Sequence, residues 1–305
     1  MHTLSLRVAL PAGAKLLPPV APLIPAPPPT APLRQMHQQR RISQLELSLR
    51  VGVSQRHLSC IETGRARPSR AMLQALLDAL DAPLDQRNNA LLAAGYAPAF
   101  ARHALADAEM APVRGALAHL LAAQDPAPAF VLDDAWTLLQ ADRSTLAMMG
   151  LLGVPAAALA GGLNLLQALL APGGLASAIV NADAVCAEVW QRAQREAAHS
   201  AALRQIVDGL RPLLPRRLAW PAADMAGVPG RPASPLLETV LRTQDGSQLR
   251  FFSAFTTFGA PLEVTAASLR VEHFFPVDEA TRARMAQAVA ALPGSAPQSA
   301  QPRPT

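Results

Sequence analysis

Gln55 and Arg56 carry the most specific chemistry in this chain of 305 residues. A glutamine amide matches the major-groove edge of adenine and an arginine fork that of guanine, each through paired hydrogen bonds. Both follow Ser54, a helix-capping residue type, and are therefore the first exposed residues of a helix running from Gln55 to Thr63. That helix places Leu58 and Ile61 on one face, Gln55, Arg56, Ser59 and Cys60 around the other, and ends at Gly64. Upstream, Ser43 followed by Glu46 has the pattern of a capping box and opens a helix at Gln44, which stops at Val51-Gly52-Val53. Two helices joined by a short Gly-containing turn have the spacing of a helix-turn-helix, whose second helix enters the major groove with its N-terminus leading. Gln44 stands where free amides and the helix dipole favour a phosphate, and from there its amide could also brace Gln55. Ser54 offers its hydroxyl to another phosphate, and Arg65 and Arg67, just past the second helix, neutralise backbone charge without reading bases.

The charge balance points the same way. The formal net charge is +5 and, apart from Lys15, all 27 basic residues are arginine, which grips phosphates and base edges bidentately. Positions 33 to 95 hold nine arginines against five acids. Double-stranded DNA is the expected partner. The seven histidines form no H-E-x-x-H and no pair at metal-ligand spacing, and no G-x-S-x-G, phosphate-binding loop or dinucleotide fingerprint occurs. Cys60 and Cys186 stand far apart without a C-x-x-C, so a disulfide framework and a zinc site are both disfavoured. Neither an enzyme nor a metal or cofactor is expected, and a reducing cytoplasm is the fitting compartment. The uncharged stretch from Leu146 to Asn181 is long enough to span a membrane, but Pro155, Pro172 and two Gly-Gly pairs break it into short buried helices.

Residues 1–31, dense in proline and nearly uncharged, are expected to be a disordered leader and to lack the helical apolar core of a signal peptide. Residues 292–305 form a similar tail. Between them two blocks differ in composition. Residues 32–96 read as five short helices, the fourth starting at Pro68 or Ser69 and the fifth following Pro83 and ending at Gly95. A linker is expected over 97–108. Residues 109–291 mix helices with a hairpin around Asp133-Asp134 and three strands, Leu236–Thr243, Leu249–Phe258 and Leu269–Phe275, closed by a helix capped by Asp278. A small sheet with helices packed on one side makes this an α+β domain, so the fold class is multidomain, all-α followed by α+β.

Residues 33 to 100, through RISQLELSLRVGVSQRHLSCIETGRARPS, resemble the DNA-binding domain of the XRE/phage-repressor family. The continuation, through VLDDAWTLLQAD, GGLNLLQALL, FFSAFTTFGAPLEVT and LRVEHFFPVDEAT, resembles MmyB-type regulators, whose C-terminal half is a PAS-like ligand-binding domain. The resemblance implies base contacts at Gln55, Arg56, Ser59 and Cys60 and a phosphate contact at Gln44. Three departures from the family pattern follow, one being that LAPGGL at 170–175 lacks the histidine common there. His37 stands where the family commonly carries an arginine paired with the glutamate found here as Glu62, so that pair becomes pH-sensitive or is lost. Asp142 stands in place of a common asparagine.

The function expected is a dimeric, sequence-specific transcriptional regulator modulated by a small apolar, fatty-acid-like ligand. The alternative gives the second domain a protein partner instead. Trp136, Asn164, Phe251, Phe255 and His273 are the candidate ligand contacts, although any single aromatic of this set reads first as simple core.

Overall fold

Serine starts three helices of the first unit. The Oγ atoms of Ser43, Ser54 and Ser69 accept the backbone N–H of Glu46, His57 and Met72 at 3.1, 3.2 and 3.2 Å. These caps satisfy amides that have no partner within the helix, and they open α2 (Gln44–Val51), α3 (Gln55–Glu62) and α4 (Arg70–Ala79). A first helix, α1, spans Ala31–Gln39. Gly52 ends α2 with φ +73°, the left-handed conformation expected of it. The capping box is half formed, because Glu46 turns away from Ser43 to pair with Arg50 one turn on. Leu47, Leu58, Ile61, Leu73, Leu76 and Leu77 meet as the core of this unit.

The computed structural model describes residues 31–155, 159, 162–214 and 236–292. The leader up to residue 30 and the tail from 293 lie outside them, as does the Pro/Gly-rich connection at 215–235. The chain divides between Leu80 and Asp81 into two compact units. The fifth helix, α5 (Leu84–Ala93), falls in the second by its packing. Its Asn88 side chain accepts N–H groups from Ala99 and Phe100 and donates to the Phe100 carbonyl. The stretch expected as a linker is therefore bound. Ala101 bridges to Glu263 as an isolated β-pair, and the His103 N–H donates to the Glu263 carboxylate at 2.7 Å.

The sheet of the second unit contains β1 (Ala129–Leu132), β2 (Leu138–Ala141), β3 (Glu238–Arg242), β4 (Gln248–Thr257) and β5 (Arg270–Pro276). The order is β2-β1-β5-β4-β3, antiparallel throughout. Its helices are α6 (Ala111–Gln124), α7 (Arg143–Leu151), α8 (Leu165–Leu170), α9 (Ala182–Glu196), α10 (Ala201–Leu210), the short α11 (Val264–Ser268) and α12 (Glu279–Ala290). This is the α+β domain expected, with one correction: helices cover both faces. Side chains alternate along β5, so Val271 joins Val131 under Leu117 and Leu121 of α6. On the opposite face Phe251 and Leu249 of β4 pack with Trp136, Trp190 and Met285. All four residues of β1 are buried, the mark of a strand covered on both sides, and alternation counted strand by strand does not reveal it.

Asp142 joins two of these elements. One carboxylate oxygen caps α7 by accepting the Thr145 N–H at 2.6 Å, and the other accepts the Ala129 N–H of β1 at 3.0 Å. An asparagine offers only one acceptor oxygen and could hold only one of them. Burial nevertheless pushes the Asp142 carboxyl up to about 6, against these bonds and with Asp125 adding to the rise. A raised folded-state pKa means that the native chain holds the proton longer than the unfolded one. Its stabilising contribution is complete below about pH 4 and is lost as pH rises through 6. Between pH 4 and 6 the natural chain should lose about 2 kcal/mol relative to Asp142→Asn, whatever their offset at pH 4. Urea unfolding of both proteins at pH 4, 5, 6 and 7 checks this, and parallel profiles would refute it.

Candidate nucleic-acid interface and ligand cavity

The α2–turn–α3 segment presents its polar residues as a surface while its apolar ones anchor it. Leu58 and Ile61 are fully buried, whereas Ser54, Gln55, Arg56 and His57 are exposed and Ser59 and Cys60 half-buried. The chain reverses after α3, with the amides of Arg65 and Ala66 both donating to the Cys60 carbonyl, and Arg65 and Arg67 emerge exposed beside it. Gln44 is placed differently from the bracing role expected of it. Its amide donates to Glu62 at 2.6 Å and not to Gln55. Glu62, only 3% exposed, also meets His37 Nε2 at 3.1 Å, and His37 Nδ1 faces the Ile42 carbonyl at 3.0 Å. Histidine thus keeps the pairing to Glu62, and one buried carboxylate ties α1, α2 and α3 together.

Removing that carboxylate takes the acceptor from the half-buried Gln44 amide and the close partner from the buried His37 Nε2. Glu62→Ala should destabilise the first unit by about 3 kcal/mol, and Glu62→Gln, which keeps one acceptor, by roughly half as much. Thermal unfolding followed by circular dichroism measures both. Equal stability of all three proteins would show that the network is incidental.

In the second unit a cavity of about 230 Å³ lies between the sheet and α7, α8 and α9. Its walls are apolar, among them Phe130, Met148, Leu169, Val189, Leu241 and Phe274, with Glu188, Arg192, Thr239, Ser253 and Glu272 as polar exceptions. Of the five expected contacts, Trp136 alone lines it. Trp136 stands outside β2, in the turn before it, with φ +67°, a strained conformation for so bulky a residue. The indole is fully buried and its Nε1–H donates to Glu196 at 2.7 Å. The guanidinium groups of Arg192 and Arg270 each lie 4.4 Å from its ring. Asn164 caps α8 and donates to the Ala135 carbonyl at 2.6 Å, steadying the Trp136 turn from outside the cavity. Phe251 is core behind the wall, and Phe255 lies under Arg192 with 4.3 Å from guanidinium to ring. His273 is on the opposite face, against Thr256 and Gln124, because it sits one residue out of phase with Glu272; burial pushes its pKa down.

Sequence reasoning missed Arg192, Arg270 and Glu272. The available signal was an acid within an otherwise apolar strand, Val271-Glu272-His273-Phe274-Phe275. Glu272 is buried, which raises its pKa, with Arg192 and Arg270 pulling the other way.

Helix-turn-helix and α+β sensor-like unit together define a class of DNA-binding regulator, and comparison with known families agrees. Residues 113–288 match the family described as MmyB-like transcription regulator ligand binding domain, and residues 31–90 match a helix-turn-helix domain. The first match spans more than half of the chain, which therefore belongs to the MmyB-like transcription regulators. It is a DNA-binding transcription regulator with a ligand-binding domain, not an enzyme. Among solved structures it is similar to one described as an RNA-binding light-oxygen-voltage receptor, at 16% identity and a TM-score of 0.26. That likeness covers 85% of this chain and 63% of the other, so the chain spans less than two thirds of that protein. No curated protein matches it. Among the described residues no helix is long and apolar enough to cross a membrane, and no group of His, Cys, Asp and Glu is arranged to hold a metal ion.

Proposed function

We propose that this regulator acts in the cytoplasm as a homodimer, reading duplex DNA with Gln55 and Arg56, aided by Ser59 and Cys60. Gln44, Ser54, Arg65 and Arg67 lie along the phosphate backbone in this reading. The observation that carries it is the exposed Gln55-Arg56 pair at the N-terminus of a capped helix, the part of a recognition helix that meets base edges. In domain terms, 32–96 binds DNA and 109–291 binds the ligand and dimerises, with 97–108 passing the signal between them.

The effector in this reading is a small, largely apolar molecule with an alkyl chain like that of a fatty acid, supported by the apolar lining of the cavity. It works by shifting a population. An effector that prefers one arrangement of the dimer changes the separation of the two recognition helices, which DNA requires to be near one turn, about 34 Å. An effector with equal affinity for both arrangements changes nothing.

Selection of duplexes from a random library by the purified chain at physiological salt, followed by sequencing, tests the proposal. An enriched palindrome with half-sites one turn apart is expected, and retention without enrichment would overturn the sequence-reading role. Native mass spectrometry of the same preparation checks the dimer. A protein partner held in place of a small molecule would favour the second domain as an interaction module.

A further inference from the structure

We propose that α5 carries the state of the cavity to the DNA-binding unit, because it is folded into the second unit against the turn of Trp136, the end of α9 and the helix that leads into β5. The inference rests on reading this cavity as the effector site and names the route by which its occupancy reaches DNA.

The helix-turn-helix match runs to residue 90 and takes in most of α5, whereas packing places the helix with the sheet. Each of its anchors is on an element that supplies a cavity residue or leads into one. Asp85 approaches Asp134, two residues before Trp136 in the turn that precedes β2. The Gln86 amide lies 3.4 Å from the carbonyl of His199, which follows α9 and donates its own N–H to the Glu196 carbonyl at 2.9 Å. Helix α9 carries Arg192, and the Glu196 side chain holds the Trp136 indole and Arg270. Beside α5 lies α11, capped by Glu263 and followed at once by β5 with Glu272. The stretch 97–108 closes the arrangement, bound by Asn88 at Ala99 and Phe100 and by Glu263 at His103.

The joint to the DNA-binding unit is short. Asp81, Ala82 and Pro83 alone separate Leu80, the C-cap of α4, from the first residue of α5. Asp81 holds a left-handed φ of +47°, and Arg87 Nε donates to the Ala82 carbonyl at 2.6 Å. A connection so short and so bonded hands a shift of α5 on to α4, which packs against α2. Packed elements of this kind move between discrete arrangements and do not deform continuously. Asp85 makes the docking adjustable. Burial pushes its carboxyl up and Asp134 adds to the rise, with the Gln86 amide and Arg102 pulling the other way, so docking carries a cost that movement of the Trp136 turn changes.

Hydrogen exchange of the full chain at pH 7, read on the amides of α5 against those of α2 and α4, tests the docking. Trp136→Phe should speed exchange in α5 about tenfold and leave α2 and α4 unchanged, because amides of one cooperative unit exchange through the same opening. Asp85→Asn, which removes the disfavoured charge, should slow α5 about threefold. Glu62→Ala should speed α2 and leave α5 unchanged. If α5 follows Glu62→Ala, or ignores both Trp136→Phe and Asp85→Asn, it belongs with the DNA-binding unit and the proposal falls.

Two glycines inserted between Asp81 and Ala82 test the route. Decanoic acid should shift the affinity of the natural chain for the duplex enriched from the random library about tenfold. It should bind the insertion variant equally well and shift its affinity for that duplex less than about twofold. An equal shift in both proteins overturns the route through α5 and leaves the effector reading intact. Decanoic acid that fails to bind, or that binds without shifting the natural chain, overturns that reading and the route with it, whatever the docking of α5.

Discussion

Arg56→Ala is expected to cost about 1–3 kcal/mol at the cognate operator and to relax preference at a single base position, whereas Arg65→Ala should weaken all sequences alike. The difference follows from where the two side chains leave the backbone. Arg56 is exposed in the first turn of α3, the part that leads into the groove, and the cap made by Ser54 fixes the direction of that turn. Arg65 leaves from the reversal after α3, past Gly64, where it can reach phosphate. Loss of a phosphate contact removes about one counterion from the binding equilibrium, so Arg65→Ala should also flatten the dependence of affinity on salt, and Arg56→Ala should do so less. Titrations against operators with single-base changes at two salt concentrations separate the effects. If both variants lose affinity equally across every operator, α3 is not reading bases through Arg56.

Trp136→Ala should be the most destabilising single change in the second unit, at about 3–5 kcal/mol. The truncation opens a void in a fully buried site, and it removes more than volume. Glu196 loses the indole N–H donor, and Arg192 and Arg270 lose the aromatic face on which both guanidinium groups rest. The turn itself survives on other bonds. Asp133 accepts the amides of Ala135 and Thr137 at 2.9 and 2.8 Å, and Leu165 donates to the Trp136 carbonyl at 2.9 Å. Trp136→Phe keeps an aromatic face and loses the donor, and should cost about 1–2 kcal/mol. Urea unfolding followed by circular dichroism reads both variants. A loss below 1 kcal/mol for the alanine variant would show that the arginines do not depend on the ring, since a fully buried large-to-small change normally exceeds that value.

The DNA-binding part was legible in detail because its signals are local. A capping serine acts on an amide three residues away, and Gly52 takes a left-handed turn on its own account, so α2, the turn and α3 could be placed from a dozen residues. The strands of the second unit were legible for a similar reason, alternation and turn residues being short-range, and β3, β4 and β5 fall within a few residues of their expected spans. What misled was distance along the chain. Gln44 is near enough to Gln55 to suggest that its amide braces it, and nothing nearby in sequence announces that Glu62 takes that amide. Asn88 and Glu263 likewise bind a stretch that composition alone marks as a linker.

The sequence by itself thus determined the class of this protein, a helix-turn-helix followed by an α+β domain, and the residues exposed at the start of α3, because both depend on caps, turns and periodicities spanning fewer than about ten residues. Only the tertiary structure decided the chemistry of the cavity. Trp136, Arg192 and Glu272 come from a turn, a helix and a strand far apart in the chain, and they meet only once β5 lies between β1 and β4 with α9 packed over it. Whether a given side chain of β5 enters the cavity or the opposite core is set by strand register, and a shift of one residue would exchange Glu272 for His273.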